Sequence, residues 1–354
     1  ECALGSPLKE SKMSESKAYF NCIDGARLGL GGAPLGNLFS EMTEHAAQSV
    51  LNHAWNDGCR SFDTAPHYGH GLSEKRMGEF LKTKDRSSFK ISSKVGRLLT
   101  PSHQVPHEQF SYVGGLPFVQ HWDFSRYGIR KSVEDSLTRL GLSRLDAVYL
   151  HDIDAATHGQ NYLTIFQQVL SESLPELNKL KQEGLLTHIG LGVNDHEVVL
   201  EVLKHADIDA LMLAGRYTLL DTRAMHQLMP VLLTRKVSLA LGGVYNSGIL
   251  AKRLSPDSQV TFNYAPASDE WRHKALKIQN IADLHGVNLR SAALQFALAH
   301  PATHLVMLGV RTELEWEASR ISEKESIPSE FWQQLKMDHL LPEDAPTPTS
   351  FSCR

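Results

Sequence analysis

The 354-residue sequence predicts one α/β domain folded as a (β/α)8 TIM barrel. Three observations lead there. Short apolar runs recur with helical segments between them, the alternation of a parallel α/β architecture. None of the runs reads as a charged or proline-broken edge, so a closed sheet is expected over an open one. Finally, Asp63, Tyr68, Lys94 and His151 fall at or just beyond the ends of such runs, where a parallel barrel gathers its chemistry.

In chain order the expected strands are Leu28–Gly32, Arg60–Thr64, Phe89–Lys94, Leu145–His151, Thr187–Val193, Ala210–Ala214, Ser238–Val244 and His304–Gly309. The helices between them carry their own punctuation. Thr43 caps a helix whose apolar face includes Ala47, Val50, Leu51 and Ala54, and which ends at Asp57-Gly58. Helices over Leu174–Glu183 and Trp271–His285 each run into a glycine suited to the left-handed stop, Gly184 and Gly286. Strand alternation turns Ser61 and Asp63 inward, and Ala147, Tyr149 and His151 with them. Phe62, Val148 and Leu150 then face the helices. Two stretches stand outside the repeat. Leu99–Gly128 is rich in aromatics, His, Gly and Pro, and follows the third strand, so it is expected to overhang the mouth as a long loop. Residues 342–354, with Pro342, Pro346 and Pro348, read as a flexible tail. Residues 1–20 read as a flexible extension, with Met13 a natural start; the barrel is expected over 21–341.

An apolar fraction of 42 % and a net charge of −4 are those of a globular chain. They give no basic footprint for nucleic acid, and no apolar run has membrane-spanning length. Cys2, Cys22, Cys59 and Cys353 are scattered without metal-site spacing, which predicts free thiols, a cytoplasmic protein and no bound metal. His151-Asp152-Ile153-Asp154 has no second histidine cluster to complete a metal site.

A phenol, an ammonium, a carboxylate and an imidazole brought to one barrel mouth form a proton-transfer device. Tyrosine, with an ordinary pKa near ~10, is a poor base at neutral pH. Lys94 beside it favours the phenolate, and Asp63 holds the ammonium in place. Tyr68 then moves the proton, and His151 bonds and orients the same oxygen. Gly29-Leu30-Gly31-Gly32-Ala33-Pro34-Leu35-Gly36 does not have dinucleotide-fingerprint spacing and reads as the first strand and its turn. The better phosphate loops are Asn246-Ser247-Gly248 and Gly309-Val310-Arg311-Thr312, after strands seven and eight.

With Phe62-Asp63-Thr64-Ala65-Pro66-His67-Tyr68-Gly69, Ile91-Ser92-Ser93-Lys94-Val95 and Val148-Tyr149-Leu150-His151-Asp152 in barrel order, the chain resembles the aldo-keto reductases from about Leu28 to Ser319. A narrower resemblance is to the L-fucose and D-threo-aldose 1-dehydrogenases. It is carried by Val113–Phe118, Leu213–Leu220, Gly242–Leu250, Asn263–Ala267 and Leu294–Pro301. Plant L-galactose dehydrogenases and bacterial pyridoxal 4-dehydrogenases look similar as well.

The resemblance implies NAD(P)-dependent oxidation at C1 of a free aldose to a lactone, by a monomer or homodimer. The rivals are an NADPH-dependent carbonyl reductase with the same four residues and a non-catalytic, cofactor-binding scaffold like the channel β subunits. It also implies that Asn194 bonds the nicotinamide carboxamide. The family's glutamine on strand six falls at Ala214 and its ring-stacking aromatic near Gly242; Tyr217 or Tyr245 is available in its place. His121 and Trp122 of the long loop are the expected sugar contacts. The usual 2′-phosphate clamp falls at Gly309 and Glu315, and Ser319 takes the adenine-contacting position. NAD is therefore expected over NADP, with Arg311 the one residue able to reverse that.

Overall fold

A computed structural model of the protein describes residues 26–255, 258–263 and 265–348. Eight parallel strands close into a barrel: β1 Leu28–Gly31, β2 Ser61–Asp63, β3 Lys90–Val95, β4 Leu145–His151, β5 Leu186–Val193, β6 Ala210–Ala214, β7 Ser238–Gly242 and β8 Thr303–Gly309. Each strand pairs with its neighbours in sequence, and β1 closes on β8 through Gly31↔Gly309. The expected fold class and its strands are what the structure shows, within two residues at each end.

The inward parity holds. Ala147 and Tyr149 of β4 join Ala210, Met212, Ala240, Leu305 and Met307 in the plug that fills the barrel. Phe62, Val148 and Leu150 lie in the separate, larger core beneath the helices. The registers Asp63↔Ser92 and Lys94↔Tyr149 bring the ends of β2, β3 and β4 side by side at one rim.

Helix punctuation follows the chemistry of the ends. Thr43 Oγ1 accepts from the Ala46 amide at 3.1 Å to start the helix Glu44–Asn56. The helix Leu174–Gln182 stops before Gly184, and Asp269–Leu284 before Gly286; both glycines have positive φ, +81° and +64°.

The long segment after β3 is not a plain loop. Gly96 ends the strand, and Arg97–Pro101 pairs antiparallel with Phe118–Trp122, so that Arg97 faces Trp122. A smaller ribbon, Glu108–Gln109 with Tyr112–Val113, caps this arm. It is tied to the barrel by Asn37, whose amide donates to Val113 O at 2.9 Å. The strands are too short, and too broken by Gly and Pro, to show alternation in sequence. At the other end Leu340, Leu341 and Ala345 are buried, so the proline-rich segment lies against the protein through residue 345. Residues 1–20 and 349–354, expected to be flexible, lie outside the described residues. Among the described residues no helix is long and apolar enough to cross a membrane.

Candidate active site

Asp63 closes β2 and is 2 % exposed, as is Lys94 near the end of β3. Lys94 Nζ lies 2.6 Å from Asp63 Oδ2 and donates to Thr64 O at 3.0 Å; Ser92 Oγ donates to Asp63 Oδ1 at 2.7 Å. Burial pushes the Asp63 carboxyl up, against the pull of the Lys94 ammonium and the Ser92 hydroxyl. Gly192 on β5 packs against both Tyr149 and Lys94: a Cβ there would lie 3.2 Å from Tyr149 Cβ and 3.5 Å from Lys94 Cδ.

Tyr68 is placed by the turn after β2. Its amide donates to Ala65 O at 3.0 Å and its carbonyl accepts from the Ser73 amide at 3.1 Å. The backbone of Gly36 presses on it so closely that a Cβ on Gly36 would lie 2.5 Å from the Tyr68 carbonyl carbon. The Lys94 ammonium sits over the Tyr68 ring, 4.6 Å from its centroid. His151 meets the same ring edge-on, with centroids 6.2 Å apart. The four expected residues are therefore together: Tyr68, Lys94 and His151 line a cleft of about 360 Å³ with Ala33, Asp152, Gly192, Asn194, Met212 and Ala214, and Asp63 joins them through Lys94.

Burial, then the nearby Arg97 and Lys94 charges, hold the His151 imidazole well below the usual histidine range. His67 is lowered to about 3, chiefly by burial and then by Arg97. It also forms a wall with Tyr112 and Phe110, at ring distances of 5.1 and 5.8 Å, and its Nδ1 lies 2.8 Å from Gln120 Oε1. The sequence reading missed His67, Arg97 and Asp152. The signal was available for His67, one residue before Tyr68, and for Asp152, one residue after His151; Arg97 is brought to the site by the hairpin arm.

The expected cofactor residues divide. Asn194 is exposed and lines the cleft at the end of β5, immediately before Asp195, which caps the next helix through the Glu197 amide at 2.8 Å. Asn246, Ser247 and Gly248 form a tight turn with positive φ at all three. Asn246 is 2 % exposed, and its Oδ1 has no hydrogen-bond partner among the described residues. Gly309 ends β8, and Thr312 caps the helix Glu313–Lys324 through the Glu315 amide at 3.2 Å.

Three expectations need correcting. Tyr217 does not reach the cleft. Gly215, with φ of +68°, turns the chain after β6, and Tyr217 is buried against Phe296 and His300, at 5.1 Å each. Arg311 is not free to meet a phosphate, because its guanidinium donates to the carbonyls of Leu38, Ser40 and Glu41 at 3.0–3.1 Å. His121 and Trp122 do not line the catalytic cleft. They border an adjoining cavity of about 410 Å³ that shares His67 and Phe110 with it.

The residues present suit a nicotinamide dinucleotide. The orphaned, buried Asn246 Oδ1 is an acceptor needing a donor, and Gly215, Gly242 and Gly243 leave the rim of β6 and β7 without side chains. At the other end, Glu315 Oε2 accepts from the Arg311 amide at 2.7 Å, which sets a carboxylate at the start of the helix after β8.

The sequence model of the aldo/keto reductase family matches residues 27–337. The chain is similar to pyridoxal 4-dehydrogenase of Microbacterium luteolum, 34 % identical over 89 % of this chain and 94 % of that protein. It is similar to a D-threo-aldose 1-dehydrogenase of a Pseudomonas species, 35 % identical over 89 % and 94 %. The L-galactose dehydrogenase of Arabidopsis thaliana is 28 % identical over 85 % of each chain. In fold, a glycerol dehydrogenase from Gluconobacter oxydans superposes with a TM-score of 0.70 at 20 % identity, covering 93 % of this chain and 95 % of that one.

Proposed function

The chain belongs to the aldo/keto reductase family of oxidoreductases, and from that premise we propose that it is an NAD(P)-dependent aldose 1-dehydrogenase. Its substrate would be a free sugar such as L-fucose or L-galactose, oxidised at C1 to the lactone. The observation that carries the reading is the convergence of Tyr68, Lys94 and His151 on one polar and aromatic cleft, with Asp63 paired to Lys94. The similarity to a D-threo-aldose 1-dehydrogenase supports the sugar.

In this reading the cofactor would supply the hydride acceptor, and Asn194, Asn246, Ser247, Gly248, Gly309 and Thr312 would hold it. The protein's own residues handle the proton. Tyr68 accepts it from the C1 hydroxyl, and the Lys94 ammonium against its ring favours the phenolate. Asp63 fixes Lys94 from below, so the ammonium stays put as the phenol titrates. His151 bonds the same oxygen and sets its direction. Proton transfer by a positioned group is worth ~10²–10⁴-fold.

A second reading is favoured by one observation. The His67, Phe110 and Tyr112 wall offers ring faces to a flat aromatic substrate, and a relative of nearly equal identity is a pyridoxal 4-dehydrogenase. Steady-state kcat/KM for L-fucose, L-galactose, pyridoxal and simple aromatic aldehydes with each nicotinamide cofactor tests both. The proposal expects a sugar to lead. Pyridoxal in first place favours the second reading, and strong aldehyde reduction without sugar oxidation overturns both.

A further inference from the structure

The end of β3 does something that barrel closure does not require. Gly96 takes φ of +108°, and a Cβ there would lie 2.5 Å from Phe124 Cε1; only glycine makes that turn in that space. The turn ends the strand at Val95 and starts the hairpin arm at Arg97. Arg97 is 8 % exposed, and its guanidinium carbon lies 3.8 Å from the centroid of a Trp122 ring. Clamped this way, it presents its fork to the end of β4. Nη1 lies 2.9 Å from His151 Nδ1, and Nη2 donates to Asp152 Oδ2 at 2.8 Å.

An arginine side chain carries only donors and keeps its proton at any pH a folded protein meets. Its hydrogen bond to Nδ1 therefore makes Nδ1 the acceptor and puts the ring's one proton on Nε2. The other groups facing the ring are Lys94, His67, Tyr68 and Asp152. His67 and Tyr68 lie with ring centroids 6.1 and 6.2 Å away. Asp152 alone favours a charged ring, but its Oδ2 is 3.5 Å from Nε2 and already accepts from Arg97. Arg97 and Lys94 both oppose a second proton, as burial does.

We infer that Arg97 is a positioning residue that locks His151 as the neutral Nε2–H tautomer, so that His151 donates a hydrogen bond to the reacting oxygen and leaves proton transfer to Tyr68. The inference rests on the roles given above to Tyr68 and His151. It adds the residue that sets the imidazole's state. It also gives the arm a second duty: Trp122 holds the guanidinium flat, so the hairpin that shapes the pocket also orients the catalytic histidine through Arg97. Lysine cannot substitute, because one ammonium lacks the planar fork that spans Nδ1 and Asp152.

Long-range 1H–15N NMR of the histidine-labelled protein, with His151→Gln used to assign the signal, reads the tautomer without substrate or cofactor. The wild type should show a bare Nδ1 and a protonated Nε2 from about pH 5 to about pH 9, across the range where an ordinary histidine titrates. In Arg97→Met the ring should exchange tautomers or titrate inside that window. Its kcat for the sugar should fall about 10–100-fold, by analogy with the loss when the partner orienting a metal-bound histidine is removed, with little change in cofactor affinity. Arg97→Lys should restore the fold's charge without restoring the tautomer. A wild-type ring that carries Nδ1–H or is charged at neutral pH overturns the inference, as does an Arg97→Met protein with unchanged ring state and kcat. Should Arg97→Met not fold, the wild-type spectrum alone still decides. A locked tautomer in a protein that oxidises no aldose overturns the proposed substrate and leaves Arg97's role standing; the wrong tautomer in an active aldose dehydrogenase does the reverse.

Discussion

Replacing Lys94 with methionine separates the two duties of the buried ion pair. Lys94 and Asp63 are each 2 % exposed and 2.6 Å apart. Methionine fills most of the lysine's volume but takes its charge away from Asp63, which keeps the Ser92 hydroxyl as a donor. Removing one member of a buried pair costs about 3–5 kcal/mol, because the other charge is left uncompensated. The stranded Asp63 carboxyl therefore titrates higher than in the wild type. The sign follows from the direction of the shift. Burial already raises this carboxyl and Lys94 is the main influence lowering it, so the variant's folded-state pKa rises further above the unfolded value. The penalty is absent below the unfolded pKa of about 4, grows as pH climbs to the new folded pKa, and is constant beyond it. Urea unfolding followed by circular dichroism at about pH 4 and about pH 8 should therefore show a wider gap from wild type at the higher pH. Adding Asp63→Asn removes the stranded charge and should recover most of the stability while turnover stays lost. Equal gaps at both pH values, or a double variant no more stable than the single one, would refute the reasoning.

Gly36→Ala should misplace Tyr68, since the new methyl falls 2.5 Å from its carbonyl carbon; overpacking of this kind costs about 1–3 kcal/mol, and kcat should fall with cofactor binding retained. Normal kcat in Gly36→Ala would show that the contact does not position the tyrosine. For the cofactor, the proposed reading expects kcat/KM to favour NAD over NADP, because Glu315 puts a carboxylate at the start of the helix after β8 and a carboxylate repels a nearby phosphate. Arg311→Ala should leave that ratio unchanged, its guanidinium being committed to the 38–41 carbonyls, whereas a collapse of NADP use in Arg311→Ala would reverse the assignment. His67, lowered to about 3, stays neutral in the folded state while the unfolded chain takes up a proton below about 6.5, so it costs stability as pH falls through that window. Between about pH 7 and about pH 5 the wild type should lose about 2 kcal/mol more than His67→Gln; parallel curves would place the folded His67 pKa near its ordinary value.

Most of the frame was legible because it is written in local terms. Runs such as Leu145–His151 are apolar on both faces, as buried parallel strands must be, and Thr43, Gly184 and Gly286 mark their helix ends by backbone chemistry alone. Asp63, Tyr68, Lys94 and His151 were legible for the same reason, each sitting at or just past a strand terminus. Arg97 was not. It is a lone arginine beyond a glycine, and its partners His151 and Trp122 lie 54 and 25 residues on; only the antiparallel arm makes them neighbours. Tyr217 and Arg311 failed in the opposite way. Both stand at plausible rim positions, but Gly215 turns one into the core and the 38–41 carbonyls satisfy the other. Side-chain partners of that kind are set by tertiary packing, which a strand-end rule does not see.

The central claim is that Tyr68 takes the proton while hydride leaves C1 of a free sugar. Oxidation of L-fucose and L-galactose carrying deuterium at C1, with the reduced nicotinamide recovered and its deuterium content measured, tests it most directly. The account predicts one deuterium per reduced cofactor with the wild type, a slowed turnover relative to the unlabelled sugar when chemistry limits the rate, and a loss of about 10²–10⁴-fold in Tyr68→Phe. Unlabelled reduced cofactor, or a Tyr68→Phe protein that transfers deuterium at the wild-type rate, would contradict it.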